Sequence, residues 1–349
     1  MEPLQIVWFG AIAALWIGYL LLEGFDLGVG MLMLVGVRGD AEQREQDRRV
    51  MLNTIGPVWD GNEVWLITAG AAIFAAFPLW YASLFSTLYV ALTLVLLGLI
   101  MRAVAIEYRG KRNTDRWRTM WTWALGLGSF VSAFGIGAAL ALTTTGLPIN
   151  EYGDREGGPL SWFSLGAVLG GLGVVGFSIV HAQAFLALKS DGPVRERANR
   201  FARSWGLLLL LPIVGWVLQV QFLSGSVWSW ALVVVAVLAL VGSIVAAFRR
   251  REGWTFVGMC GFLVAGAAAI FTAAFPVVIP STLDPAFDLT IMNASSSSYT
   301  LGVMTIVASF GLPLVLAYQA WSYWVFRRRV GPESIPAAHT VTPAVHQDA

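Results

Sequence analysis

The stretch GPVWDGNEVWLITAG, residues 56–70, places Asp60, Asn62 and Glu63 inside an apolar segment that runs over residues 50–77. An ionisable side chain in hydrocarbon costs about 3 kcal/mol on insertion scales, so these groups are not expected to face lipid. Asp60 and Glu63 are three residues apart, a spacing that places both on one face of a helix. The stretch is either a polar patch that joins two helices or a functional site buried between helices.

The overall composition indicates a membrane protein. Of the 349 residues, 57% are hydrophobic and 12% are charged, whereas soluble domains carry about 25% charged residues. The net charge is +1, which gives no support for a nucleic-acid partner, and none is expected. The chain has one cysteine, Cys260. Disulfides, cysteine-based zinc sites and iron–sulfur clusters are therefore excluded within the chain.

The apolar runs predict an all-α, polytopic fold, because about 20 apolar residues cross a bilayer core. We expect nine transmembrane helices in a single domain, residues 1–330, and a disordered cytoplasmic tail, residues 331–349. The N-terminus has no basic segment or cleavage pattern, so the first run is expected to be a retained helix. The nine runs cover residues 6–37, 50–77, 79–105, 119–143, 160–188, 203–223, 227–248, 254–275 and 301–326.

Lysine and arginine placement predicts the orientation of these helices. Of the 22 basic residues, 21 fall at the connections after the first, third, fifth, seventh and ninth helices, and Arg155 is the exception. The positive-inside rule makes that side cytoplasmic. The N-terminus is therefore predicted to be outside and the C-terminus inside.

Charged residues on the first three predicted helices fall at similar depth. Counting a rise of 1.5 Å per residue places Asp26, Asp60 and Arg102 together in the cytoplasmic third. Such a group can relay protons, or it can lock three helices together, and the sequence alone favours neither. The candidates for a proton route are Glu23, Asp26, Asp60, Glu63, Arg102 and Glu107.

Histidine is nearly absent from the predicted membrane part. His181 lies in the fifth helix, while His339 and His346 lie in the tail. One histidine cannot supply a bis-histidine haem or a haem–copper centre. His181 is expected to be a hydrogen-bonded packing residue, and no catalytic residue or metal site is expected in this chain.

Six stretches carry a resemblance to a known family. They are EGFDLG at 23–28, GPVWDGNEVWLITAG at 56–70, FPLWYA at 77–82, RAVAIEYRGK at 102–111, NASSSSYTLGVMTIVA at 293–308 and YQAWSYW at 318–324. Through them the chain resembles subunit II of the cytochrome bd-type quinol oxidases over nearly its whole length. The resemblance implies two four-helix bundles plus one helix, with the N-terminus outside. It also implies a pseudo-symmetric heterodimer with the haem-bearing subunit I in the bacterial cytoplasmic (inner) membrane.

The same resemblance implies how the two subunits divide the work. Subunit I would carry haems b and d, oxidise quinol and reduce oxygen to water. This chain would ligate no cofactor, support that core and contribute a proton route from the cytoplasm. Asp60 matches the family's Trp-Asp-Gly-Asn aspartate, Asp26 and Arg102 match its other embedded polar positions, and Glu23 and Glu107 stand where members often have aspartate. A structural quinone or lipid and small accessory membrane subunits are further expectations, with no residues assigned.

Two alternatives to this function remain at the level of the sequence. A secondary transporter would place its site at the bilayer midplane between broken helices. Against it, the polar group lies near the inner face and no inverted repeat is visible. A purely structural assembly subunit would use the same charges only to hold helices together.

Overall fold

Helices make up most of the computed structural model, which describes residues 1–201, 203–204 and 206–335. Two short strands, β1 (Val277–Ile279) and β2 (Leu289–Thr290), form an antiparallel pair. The helices are α1 (Pro3–Val35), α2 (Ala41–Ile55), α3 (Trp59–Ala76), α4 (Pro78–Thr87), α5 (Tyr89–Tyr108), α6 (Asp115–Thr145), α7 (Leu165–Lys189), α8 (Pro193–Phe201), α9 (Gly206–Leu209), α10 (Leu211–Ser224), α11 (Val227–Phe248), α12 (Glu252–Ala274) and α13 (Ser298–Val325).

Seven helices in the described part of the chain are long and apolar enough to cross a membrane. They are α1, α5 with the short 3-10 turn that follows it, α6, α7, α11, α12 and α13. A further helix, α10, is apolar but has only 14 residues. The prediction of an all-α, polytopic membrane protein is therefore confirmed, whereas nine continuous spanning helices are not observed among these residues.

Proline explains where the predicted helices are divided. The run over residues 50–77 consists of α2 and α3, separated at Gly56, Pro57 and Val58, because proline lacks the amide hydrogen that continues a helix. The run over 203–223 contains the one-turn helix α9 and then α10, which begins at Leu211 with Pro212 in its first turn. Proline fits that position because the first amides of a helix have no partner within it. Pro78 likewise begins α4 after the corner at Phe77, as its sequence predicts.

The first helix is central to the bundle, where it contacts α3, α6 and α7. Two contacts are so close that only glycine fits. A Cβ on Gly28 would overlap the backbone carbonyl of Ser178 on α7, and one on Gly128 of α6 would lie 2.5 Å from the carbonyl oxygen of Gly98 on α5. Small residues allow helices to approach in this way, and the resulting van der Waals contacts stabilise membrane bundles. This packing brings α1, α5, α6 and α7 together around the middle of the molecule.

The last helix is attached to the bundle very differently. Leu301 is the only buried residue of α13, whose residues are all described. Near its start, the indole Nε1 of Trp8 donates to the carbonyl of Leu301 at 3.2 Å and to Thr305 at 3.0 Å. Beyond its end, the amide of Val330 donates to the carbonyl of Lys189 at 2.9 Å. Both ends of α13 are therefore fixed, while most of its apolar surface lies exposed on this chain.

Candidate proton-transfer cluster

A buried ion pair lies at the centre of the polar cluster. Glu23 of α1 contacts Arg102 of α5 through Oε1 and Nη1, and both side chains are completely buried. Glu63 of α3 approaches the same guanidinium, with 3.6 Å between its Oε2 and Nη1 of Arg102, and its side chain is 19% exposed. One arginine thus faces acids from two other helices.

Asn62 lies beside this pair and joins three helices. Its Nδ2 donates to Oδ2 of Asp26 at 2.7 Å and to the carbonyl of Leu22 at 3.2 Å, both on α1. Its Oδ1 accepts from Nε2 of Gln319 at 3.0 Å and from the hydroxyl of Tyr323 at 2.8 Å, both on α13. Asn62 is fully buried.

The cluster contains more acid than base. Glu23, Asp26 and Glu63 supply three carboxyl groups around the single guanidinium of Arg102. If all three were ionised, two negative charges would remain uncompensated. A buried charge without a partner is costly by several kcal/mol. This arrangement therefore has the chemical capacity to hold and release a proton.

Several polar atoms of the cluster are buried without a protein hydrogen bond. Within the described part of the chain, these include both carboxylate oxygens of Glu23, Oδ1 of Asp26, the three guanidinium nitrogens of Arg102 and the hydroxyl of Tyr19. Buried polar groups in proteins are ordinarily hydrogen-bonded to protein or to ordered water. The Glu23–Arg102 contact is thus an ion pair whose remaining hydrogen-bonding capacity is unused by the protein.

Two of the six predicted site residues lie outside this cluster. Asp60 and Glu107 are both exposed on the chain, so the structure does not place them among the buried groups, and their part in a proton route stays a prediction. A helix turns by about 100° per residue, so Asp60 points away from Asn62, two positions later, while Glu63 lies between the two directions. The structure brings together Glu23, Asp26, Glu63 and Arg102, and it leaves Asp60 at the surface one turn before Glu63.

The bonds from α13 to Asn62 were not anticipated from the sequence. Gln319 and Tyr323 are four residues apart, a spacing that places both on one helix face. That spacing was the available signal, since both residues lie in the YQAWSYW stretch. Nothing in it indicated that their partner would be an asparagine 257 residues earlier.

His181 is a packed residue with one polar contact. Its Nε2 lies 3.0 Å from the carbonyl oxygen of Leu21, and its ring stacks between Phe177 and Phe256. This environment matches the hydrogen-bonded packing role expected from the sequence. Among the described residues there is no group of three or more His, Cys, Asp or Glu that could hold a metal ion. That this chain ligates no haem iron stays a prediction.

A second set of ion pairs lies at the end of the bundle where α1 finishes. We call the set that surrounds Glu252 the terminal ion-pair layer; it comprises Asp191, Arg195, Asn199, Glu252 and Arg329. Glu252 accepts from Nε and Nη2 of Arg195 at 2.7 and 3.0 Å, from Asn199 at 2.8 Å and from Arg329 at 2.6 Å. The hydrogen bonds to Glu252 raise the pKa of Arg195. This layer connects α8, α12 and the segment that follows α13.

An apolar cleft of about 950 Å³ opens between α3, α4, α5 and α6. Its lining includes the aromatic residues Trp16, Phe74, Trp80, Tyr81 and Phe85. The indole Nε1 atoms of Trp16 and Trp80 are buried and form no hydrogen bond with any described residue. The cleft therefore has an apolar, aromatic lining, and the two indole Nε1 atoms are buried rather than exposed in it.

Comparisons with known proteins agree on one family. The model of the family described as cytochrome bd terminal oxidase subunit II matches residues 4–326. The chain is 37% identical to cytochrome bd ubiquinol oxidase subunit 2 of Bacillus subtilis (strain 168) over 337 residues, which cover 95% of this chain and 98% of the relative. It is 34% identical to cytochrome bd-I ubiquinol oxidase subunit 2 of Escherichia coli (strain K12) over 377 residues, covering 96% and 97%.

A solved structure has the same fold. It is the bd oxidase from Geobacillus thermodenitrificans, one chain of which matches with a TM-score of 0.73 and 20% identity, covering 93% of this chain and 99% of that one. At this identity the likeness concerns the fold alone.

Proposed function

This chain belongs to the cytochrome bd terminal oxidase subunit II family, and we propose that it feeds cytoplasmic protons to a haem-bearing partner subunit and supports that subunit. As a member it is a subunit of a quinol oxidase complex in a membrane. In the proposal the partner carries the haems, oxidises quinol and reduces oxygen to water. The single observation that carries the proton role is the buried, acid-rich cluster around Arg102.

The chemistry of the complex requires such a route. Reduction of oxygen to water consumes protons, and an apolar helix cannot conduct them. Titratable groups inside a membrane are expensive, so their presence marks a functional path more often than a packing accident. The acids around Arg102 are titratable groups of this kind, and they lie on α1 and α3, which contact each other.

The order of the groups suggests the direction of transfer. Asp60 is exposed in the first turn of α3. Glu63 follows one turn later, is partly exposed, and lies 3.6 Å from Arg102. Glu23 and Asp26 are fully buried behind it. Protons would pass from Asp60 to Glu63 and then into the buried group, while Glu107 remains a surface candidate on α5.

The proposal includes the orientation and the number of crossings. The N-terminus would lie outside and the C-terminus inside, since 21 of 22 basic residues occur at connections on one side. Nine crossings would result if α3 and α10 also pass through the membrane, and α3, with 18 residues, is about 27 Å long. The membrane would be the bacterial cytoplasmic membrane.

The exposed face of α13 would be part of the contact with the partner subunit. Apolar side chains including Val307, Phe310 and Leu314 are at least 66% exposed there on this chain. A helix that packs so little of itself against its own chain is suited to packing against another one. Accessory membrane subunits would use other surfaces and stay an expectation.

The apolar cleft fits a structural quinone or lipid. A long isoprenoid or acyl chain would lie along its apolar wall, which includes Phe74, Tyr81 and Phe85. The molecule would supply packing between helices. No transfer step of the proposal depends on it.

One further role is favoured by a specific observation. The Glu23–Arg102 pair is fully buried and joins α1 to α5, so it can lock helices together without moving protons. This keeps the structural alternative open, whereas membership of the oxidase family removes the reason to consider a secondary transporter.

A charge-neutral variant of Glu63 tests the proposal. Glu63→Gln keeps the volume and the polar contact with Arg102 but cannot exchange a proton. We expect the purified complex to keep its full haem content while proton uptake in a single turnover slows by about a hundredfold or more, within the range that general acid–base groups contribute. Asp60→Asn should slow uptake in the same phase.

Asp115→Asn is the matched control, because Asp115 is also an exposed aspartate in the first turn of a helix. It should leave uptake unchanged. Normal uptake in Glu63→Gln would refute the proton route. Loss of haem and of the partner subunit in that variant would favour the structural alternative.

A further inference from the structure

Asn62 has a single hydrogen-bonding orientation that satisfies its surroundings. Its two donors face acceptors on α1, the carbonyl of Leu22 and the carboxylate of Asp26, and its acceptor oxygen faces donors from Gln319 and Tyr323 on α13. A carboxamide offers two donor hydrogens and two lone pairs, so all four positions are used. Rotating the amide by 180° would set acceptor against acceptor on α1, where the carbonyl of Leu22 has no hydrogen to donate.

We propose that Asn62 is a positioning residue, which holds the Asp26 carboxylate in place according to how α13 is seated against the bundle. The inference deepens the proton-transfer proposal and rests on it, because Asp26 is one of the buried acids of that route. It assigns to the Gln319–Tyr323 face of α13 a role in the cluster that lies on α1, α3 and α5.

The carboxylate of Asp26 has one donor and one acidic neighbour. Its Oδ2 accepts from Asn62 at 2.7 Å, its Oδ1 accepts no hydrogen bond from a described donor, and the carboxyl group of Glu23 lies within hydrogen-bonding reach of it. Asn62 therefore fixes one oxygen and leaves the other available to bind a proton. A neutral amide does not titrate, so Asn62 acts on the carboxylate by orienting it and does not carry the proton itself.

The helix α13 reaches Asn62 through a small part of its length. This helix has one buried residue, Leu301, near its start. Some 18 residues further along, Gln319 and Tyr323 reach into the bundle to Asn62, and Gln319 also lies over Gly61, where a Cβ would be 3.4 Å from its Oε1. A shift of this part of α13 would pull on Asn62 directly, and Asn62 would transmit the shift to Asp26.

The partner subunit is the agent that can move α13. The helix exposes an apolar face on this chain, and the proposed function assigns that face to the partner subunit. Docking of the partner would press α13 against α3 and tighten the bonds to Asn62. Assembly and the geometry of the buried acid would then be linked through one side chain.

The test uses the infrared carboxyl band of Asp26 in the purified complex, assigned by its loss in Asp26→Asn. Asn62→Ala removes the hydrogen bond to Asp26 along with three others, so it should shift this band and lower turnover by about fivefold or more, fivefold being the factor expected from the bond to Asp26 alone. Tyr323→Phe, which does not touch Asp26, should shift the band in the same direction by a smaller amount. Tyr318→Phe is the control, since that tyrosine is on the same helix but is 64% exposed; it should leave the band in place.

Each outcome decides a separate point. An unchanged band in assembled Asn62→Ala would overturn the positioning role, and an unchanged band in Tyr323→Phe would overturn the link to α13. If Asn62→Ala does not assemble, the Tyr323→Phe and Gln319→Leu double variant decides the question by the same band. A shifted band in Asn62→Ala together with normal proton uptake in Glu63→Gln would support Asn62 as positioning residue while refuting the proton route, so the two proposals fail separately.

Discussion

The buried cluster and the terminal ion-pair layer both pair arginine with carboxylate side chains, but the two regions differ in how completely these groups are hydrogen-bonded. In the terminal layer, Glu252 accepts four hydrogen bonds and the two arginines around it are each 35% exposed. In the buried cluster, Arg102 is completely buried, its nitrogens make no hydrogen bond to a described residue, and three acids compete for it. Glu252 in the layer is saturated with hydrogen bonds from partly exposed arginines, whereas the cluster is mostly buried and leaves donors and acceptors unused by the described residues. An arginine–carboxylate contact alone therefore does not indicate function. The number of buried donors and acceptors without a protein partner distinguishes the two regions better.

The largest effect should come from removing the cation of the buried cluster. Arg102→Met leaves three carboxyl groups without a counter-charge, and breaking a buried pair costs about 3–5 kcal/mol. We expect most of the complex to be lost, measured as haem recovered with the purified subunits. The double variant Glu23→Met with Arg102→Met returns the net charge of the cluster to its original value and should recover assembly but not proton uptake.

If the double variant also recovers proton uptake, the buried pair is only a helix lock. In that case the buried cluster and the terminal ion-pair layer would both have only a structural role.

A smaller effect is expected in the terminal layer. Glu252→Gln keeps the shape but weakens the hydrogen bonds from Arg195 and Arg329, which should lower the stability of the complex by about 1–3 kcal/mol. Thermal unfolding of the complex measures the loss. Turnover per assembled complex should be unchanged, because Glu252 lies outside the proposed route. A slowed proton uptake in this variant would show that the layer belongs to the route after all.

The smallest effect is expected at the edge of the same layer. Asp191 is 44% exposed and lies 3.3 Å from Arg329 and 3.5 Å from Arg195. Exposed pairs of this kind contribute less than about 1 kcal/mol and are screened by salt. Asp191→Asn should therefore leave the midpoint of thermal unfolding within about 2 °C of that of the unchanged complex, and any difference should vanish in high salt. A larger or salt-independent shift would mean that the layer is less hydrated than its exposure indicates.

The sequence predicts the helical membrane class well and the helix boundaries less well. The hydropathy of residues 203–223 shows one continuous apolar run. It does not show that α10 begins only at Leu211, with Pro212 in its first turn. Pro57 separates α2 from α3. Because apolar residues continue on both sides of it, hydropathy predicts one helix there. Counting residues along the helices predicts that Asp26 and Arg102 lie at one depth. In the structure Arg102 does contact Glu23, which precedes Asp26 by three residues. Depth alone could not say which way a side chain points, so it could not show that Asp60 is exposed.

The partners of Asn62 mark the limit of sequence reasoning. The hydrogen bonds to Gln319 and Tyr323 join residues more than 250 positions apart. Helical periodicity relates residues within one helix, and it carries no information about which face of α13 meets which residue of α3. Only tertiary packing decides that contact.

The pairing of Glu23 with Arg102 has a consequence for biosynthesis. A chain is made from its N-terminus, so α1 leaves the ribosome long before α5 exists. Until Arg102 is synthesised, Glu23 and Asp26 have no cation within the bundle, and each charged group would weigh against insertion by about 3 kcal/mol. The first helix is therefore expected to insert more readily with its acids protonated, or once α5 has been synthesised.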